Sequence, residues 1–157
     1  MPDNSHLIDE IRDMLLDCGM FHSLLPAELL NAAGYFNIGQ YEPDAVICNE
    51  GDAGTFMCII HFGAVSIRKT NSRGETVELA KLRKGRAFGE MAVLDGERRS
   101  ASGVAVSDCT LLVLAKDSLE KMLQEAPKSA AKISRAIAVA MSKRLRMVDG
   151  QMVEQQL

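Results

Sequence analysis

Histidine is scarce in this chain. Among 157 residues there are three, His6, His22 and His61, and none stands in an H-x-H or H-E-x-x-H arrangement. Paired imidazoles for a catalytic metal are therefore missing, and each histidine reads as a surface or turn residue. Hydrolysis of a phosphodiester at a two-metal centre wants clustered histidines and carboxylates, so it is not expected. A small metal-holding double-sheeted roll fails for the same reason. No G-x-x-x-x-G-K-[ST] loop is present, which removes ATP or GTP hydrolysis by that route. The four cysteines, Cys18, Cys48, Cys58 and Cys109, are far apart with no C-x-x-C pair. They read as small buried apolar residues in a reducing cytosol, not as a disulfide framework. No apolar run approaches the length of a membrane span, and the N-terminus lacks a basic-plus-apolar leader pattern. Charge is nearly balanced, at −3 net, so no nucleic-acid surface is expected. These absences predict a soluble cytoplasmic protein without catalytic activity, without metal, and complete from Met1.

What is present is a hydrophobic fraction of 47%, enough for one folded domain. The apolar period predicts a helix over His6–Cys18, ended by Gly19, and a second over Pro26–Ala33 with proline in its first turn. From Tyr35 the period becomes two. Short strands are predicted at Tyr35–Gln40, Val46–Cys48, Phe56–His61, Ala64–Lys69, Thr76–Leu82, Ser100–Ala105 and Cys109–Ala115. Gly-rich turns punctuate them, which argues for a sandwich or closed roll. Within Asn49–Gly54, the glycines are expected to supply positive φ rather than ligand contacts. A helix over Lys116–Gln124 with an Asp117-x-x-Glu120 capping box follows, and a longer one begins at Pro127.

One stretch, RAFGEMAVLDGERRSASGV at 86–104, carries chemistry. A helical turn over Gly89–Val93 would leave its first backbone N–H groups unpaired and aimed outward, at the positive pole of the turn. Arg99 can bring a planar, permanently charged fork to the same anion, and Ser100 a hydroxyl. Glu90 would be repelled by a phosphate, so it makes sense only as acceptor of a neutral group beside it, such as a ribose hydroxyl. One anion plus one sugar hydroxyl describes a nucleotide pocket. The bland alternative is a turn on a barrel rim with Arg99 exposed.

FGEMAVLDGERRSAS resembles the phosphate-binding cassette of the cyclic nucleotide-binding domain family, whose pattern is F-G-E-x-A, a short loop, then R-[SAT]-A-[ST]. The resemblance implies a mostly β fold with flanking helices: an antiparallel β-roll with jelly-roll connections, N-terminal helices, a short cassette helix and a long C-terminal helix. It divides the chain into a helical segment at 1–34, a β-roll at 35–115 with the cassette at 86–104, and C-terminal helices at 116–157. The implied ligand is a 3′,5′-cyclic nucleotide, cAMP first. Gly89, Met91, Ala92, Arg99 and Ser100 would hold the cyclic phosphate and Glu90 the ribose. Ile67, Leu79 and Leu82 would be either the apolar wall beside the base or ordinary roll core. Over the base, catabolite activators offer a Thr-Ser pair. Following the shared M-x-[RK]-R-L stretch, those positions fall here on Val148 and Asp149, with Arg144 or Arg146 able to stack on a ring.

On the last helix Ala138, Met141, Leu145, Val148 and Met152 form a 3,4 stripe. It predicts a homodimer, or packing back onto the chain's own roll. The cluster Lys132, Arg135, Lys143, Arg144 and Arg146 is expected to be a solvated face rather than a nucleic-acid surface. With no room after this helix for a helix-turn-helix module, a sensor without its own output domain is expected, acting on another protein, serving as a buffer, or forming a piece of a larger assembly. The rival readings are a ligand-free dimerisation or docking module, and a binder of cGMP or a cyclic dinucleotide.

Overall fold

The computed structural model describes residues 5–155, with side chains through residue 150. Two helices open it, α1 (Ser5–Asp17) and α2 (Pro26–Ala33), followed by β1 (Asn37–Tyr41), β2 (Val46–Cys48), β3 (Phe56–Phe62), β4 (Val65–Thr70), β5 (Thr76–Leu82) and β6 (Ala87–Phe88). A short helix α3 (Glu90–Asp95), strands β7 (Ser102–Ala105) and β8 (Cys109–Ala115), and helices α4 (Lys116–Glu125) and α5 (Pro127–Gln155) complete it. Two four-stranded sheets, ordered β1-β8-β3-β6 and β2-β7-β4-β5, face each other with every pairing antiparallel. The expected antiparallel β-roll with flanking helices and a long C-terminal helix is the fold observed.

The uninterrupted apolar runs of β3 and β8 arise because these strands are buried on both faces. Alternation then divides their side chains. Met57, Ile59, Leu112 and Leu114 point to the helices and join Ile11, Leu15, Phe21, Met122, Ile133 and Ile137 in one core. Cys58, Ile60 and Leu111 point inward and meet Ile47, Val65 and Phe88 of the roll interior. At about 1.5–3 kcal/mol per fully buried large side chain, the first cluster fixes the helices on the sheet.

Several local expectations are corrected. Helix α4 has no capping box: β8 runs directly into it, its N-cap is Ala115 without a side-chain bond, and Asp117 falls inside the first turn. The Lys116 N–H is satisfied by the Thr55 carbonyl at 2.8 Å. Strand β1 starts at Asn37 because Tyr35 and Phe36 still donate to Ala32 and Ala33 at the end of α2. β6 is only two residues long, too short for a period to show, and pairs Phe88 with Cys58 and Ala87 with Ile59. Cys58 and Cys109 are buried, but Cys18 and Cys48 are only half-buried. Two members of the basic cluster on α5 are committed elsewhere. Lys132 bonds the buried Glu28 at 2.7 Å, and Arg144 turns into the cavity described below. Glu28 also accepts from the Leu25 N–H, and Lys132 first and this amide second hold its carboxyl below the usual range.

The turn before β3 divides its glycines between two tasks. Gly51 has φ +87°, as expected for a positive-φ position. Gly54 does not; a Cβ there would collide with the Cβ of Ala92 on α3, so glycine is needed for close approach. The same turn pins the cassette, since Arg99 N–H donates to Asp52 and Gly51 N–H to Arg99, at 2.8 and 2.9 Å. Those bonds explain why β7 begins at Ser102 rather than Ser100. Gly54→Ala is expected to lower stability by about 1–3 kcal/mol through overpacking, read by chemical denaturation; an unchanged midpoint would contradict the close packing of α3.

Candidate ligand-binding site

Gly89 caps α3 in the left-handed region, φ +78°, where a side chain is strained. A Cβ there would also strike the Arg99 guanidinium. Glycine at this position therefore both turns the chain and makes room for the arginine. Arg99 is 6% exposed. Its Nη2 donates to the Phe56 carbonyl at 2.5 Å, its Nη1 to the Gly89 carbonyl at 3.3 Å, and its guanidinium carbon lies 4.6 Å from the Phe56 ring centre. Neutral carbonyls and an aromatic face hold it, and no carboxylate pairs with it among the described residues. The exposed-rim alternative for Arg99 is overturned by this burial.

Glu90 is 3% exposed at the first position of α3 and forms an ion pair with Arg144, which arrives from α5. Arg144 also donates to the Ala87 carbonyl at 3.4 Å. Burial, and then the charge of Arg86, push its guanidinium below the usual value. The long helix thus meets the cassette at a carboxylate.

Between cassette, β5 and α5 lies a cavity of about 1020 Å³. Gly89, Glu90, Met91, Ala92, Arg99 and Ser100 line it, as do Ile67, Leu79, Leu82, Arg144 and Val148. Ala92 is buried, Met91 and Ser100 exposed, and the Ser100 carbonyl accepts from Lys69 at 2.7 Å. Asp149 and Arg146 do not reach the cavity. Asp149 follows Val148 on α5, and the roughly 100° turn between successive helical residues carries it off the lining face.

The stripe is brought to the same place. Ala138, Met141, Leu145 and Val148 line the cavity, so this face of the helix passes over the chain's own roll. Met152 falls outside the residues whose side chains are described. Leu145 remains 63% exposed beside Met147 and Val148. Sequence reasoning missed Phe56 and Cys48, and it included Phe88 and Arg86 in the 86–104 stretch without giving them a role at the site. Phe56 lies 43 positions from Arg99 and carries no motif, so only the fold joins them.

Comparison with known proteins follows the same lines. The cyclic nucleotide-binding domain model matches residues 38–126, which include the whole roll from β1 to β8 apart from the first residue of β1. The chain belongs to the cyclic nucleotide-binding domain family. It is 34% identical over 130 residues to the cyclic AMP receptor protein of Thermus thermophilus, covering 83% of this chain and 58% of that protein. It is 30% identical over 105 residues to a cAMP-dependent protein kinase regulatory subunit of Mycosarcoma maydis, covering 67% of this chain and 20% of the subunit. It also superposes on a cyclic nucleotide-binding domain of Methylobacillus flagellatus with TM-score 0.84 and 25% identity, covering 98% and 86% of the two chains. The chain therefore spans less than two thirds of the curated relatives it matches.

Thiol chemistry offers a probe of this geometry. Burial pushes Cys58 up to about 12 and raises the Cys18 and Cys48 thiols as well, so at pH 8 access, greater at the half-buried Cys18 and Cys48, decides which is labelled. Alkylation of the native protein at pH 8, followed by mass spectrometry, is expected to label Cys18 and Cys48 and to reach Cys58 and Cys109 only on unfolding. Equal labelling of Cys58 and Cys48 in the folded state would contradict the burial described.

Proposed function

We propose that this chain is a regulatory sensor that binds a 3′,5′-cyclic nucleotide, with cAMP the first candidate, and that it has no catalytic role. The observation that carries the reading is the buried Arg99 without a carboxylate, facing a 1020 Å³ cavity beside a positive-φ glycine and a short helix. A buried cation is tolerated when an anion completes it, and a cyclic phosphate supplies one charge of the right size. The first N–H groups of α3, through Ala92, and the Ser100 hydroxyl add donors. Glu90 accepts the ribose 2′-hydroxyl, exchanging part of its bond with Arg144 for one to the ligand. Ile67, Leu79 and Leu82 meet the base from the roll, and Arg144 and Val148 from α5.

Two relatives support cAMP by what they are called, a cyclic AMP receptor protein and a cAMP-dependent kinase subunit. No helix among the described residues is long and apolar enough to cross a membrane. The effector is another protein, reached through α5. This helix is buried at Ala130, Ile133 and Ile137, then passes over the cavity. A ligand that favours one arrangement of the distal half shifts the population of states, and about 1.4 kcal/mol of differential affinity gives a tenfold bias. The exposed Leu145, Met147 and Val148 give the same half a surface for a second copy of the chain.

Calorimetric titration with cAMP and cGMP is expected to give one site per chain. Arg99→Ala should weaken it by tens to thousands of fold, corresponding to about 2–5 kcal/mol. The 2′-deoxy analogue should bind less tightly by about tenfold or more. An absence of heat at millimolar nucleotide would overturn the reading in favour of a ligand-free docking module. In hydrogen exchange, ligand is expected to protect 89–102 together with 133–148. Protection confined to the first segment would leave binding intact and remove the coupling to α5.

A further inference from the structure

The Arg99 guanidinium reaches the cavity already held on one side. A guanidinium presents its N–H donors in a fixed planar fork. One N–H of Nη1 goes to the Gly89 carbonyl and one of Nη2 to the Phe56 carbonyl. The other N–H of each nitrogen and the Nε N–H have no partner among the described residues, enough for a two-point grip on an anion. The Phe56 carbonyl is open to Arg99 because of its place on β3. Pairing with β6 is confined to Cys58 and Ile59, so beside Phe56 that edge of the strand is bare. The preceding carbonyl, on Thr55, points the other way and accepts the Lys116 N–H at the start of α4.

The ring of Phe56 adds a second hold, with its centre 4.6 Å from the guanidinium carbon. It does not line the cavity; it packs, half-buried, against the roll-interior cluster of Ile47, Cys58 and Phe88. The ring therefore touches the arginine and not the space a ligand fills. A carboxylate in its place would also fix the arginine, but it would cancel the charge on which an anion depends. An aromatic face attracts the cation through its quadrupole and stays neutral. Arginine freedom that an anion would otherwise have to freeze on binding is thus already lost.

We propose that Phe56 is a positioning residue for anion binding: acting through Arg99, its ring presents the open side of the guanidinium to the phosphate of the ligand. The inference rests on the cyclic nucleotide reading and adds to it a side chain outside the cavity that sets affinity. Two consequences follow from the geometry. Arg99 is ordered before any ligand arrives, and the ring matters to affinity only while Arg99 is present.

The test compares Phe56→Leu and Phe56→Met, which keep an apolar side chain and the backbone carbonyl but remove the ring, with Phe56→Tyr, which keeps the ring. Chemical denaturation first selects a ringless variant whose unfolding midpoint stays near that of the unsubstituted chain. Calorimetry with cAMP on the full chain is expected to show that variant binding about fivefold to thirtyfold more weakly, with Phe56→Tyr within about threefold of the unsubstituted protein. On an Arg99→Ala background the same loss of the ring should change affinity by less than about twofold, a result that loss of packing alone would not give. In nitrogen-15 NMR of the ligand-free chain, the Arg99 Nε–H should be as ordered as the backbone, and mobile once the ring is removed. Unchanged cAMP affinity without the ring, equal weakening with and without Arg99, or an Arg99 equally mobile in all variants would overturn the role and leave the cyclic nucleotide reading standing. If the unsubstituted chain binds no cAMP, that reading falls and the role of Phe56 in affinity falls with it.

Discussion

A guanidinium buried with no carboxylate beside it is the constraint on which the rest of this molecule depends. Removing a charge from water costs several kcal/mol unless other groups replace the lost hydration. Here the replacements are two backbone carbonyls and the face of Phe56, all neutral. They hold Arg99 in place without cancelling its charge. The architecture serves that arrangement. The turn at 51–54 ties the segment that carries Arg99 to the roll, Gly54 lets α3 sit close, and Gly89 opens the room the guanidinium fills.

The opposite sign is managed differently. Glu90 is as buried as Arg99, yet it is compensated, and its partner comes from the far end of the chain. Helix α5 is therefore fastened twice. Near its start, apolar packing and the Lys132–Glu28 bond hold it to α2; farther on, one ion pair holds it to the cassette. In the second fastening Glu90 is almost fully buried while Arg144 remains 43% exposed at its side chain. A ligand that competes for Glu90 acts on the ion pair that, with the Arg144 bond to the Ala87 carbonyl, joins the cassette to the distal helix.

Much of this was legible in the sequence, for physical reasons that differ by element. Helix α2 and strands β2, β5 and β8 fall at their predicted bounds: proline opens α2, Gly74 and Gly85 flank β5, and β2 and β8 are short, mostly apolar runs of strand length between polar residues. The β-roll itself came from the resemblance of the cassette, not from strand spacing. The capping box at Asp117 failed because a strand running straight into a helix leaves no N-cap position for that side chain. β6 escaped notice because two residues carry no period. In the cavity, the cassette residues form one local motif and could be named together. Phe56 could not, since its proximity to Arg99 is made by the fold, and Arg86, though it opens the same stretch, meets Arg144 only through the path of α5. The stripe on α5 was visible as a stripe, but periodicity says only that a face is apolar, not what covers it.

The account's central claim is that Arg99 is an anion receptor completed by a cyclic phosphate. A crystal structure of the protein grown with cAMP tests it most directly. The account predicts density for the nucleotide in the cavity, with its phosphate within hydrogen-bonding distance of the Arg99 guanidinium and of the first amides of α3, and with its ribose on Glu90. An Arg99 still bonded only to the carbonyls of Phe56 and Gly89, with nucleotide absent or bound outside that cavity, would contradict it.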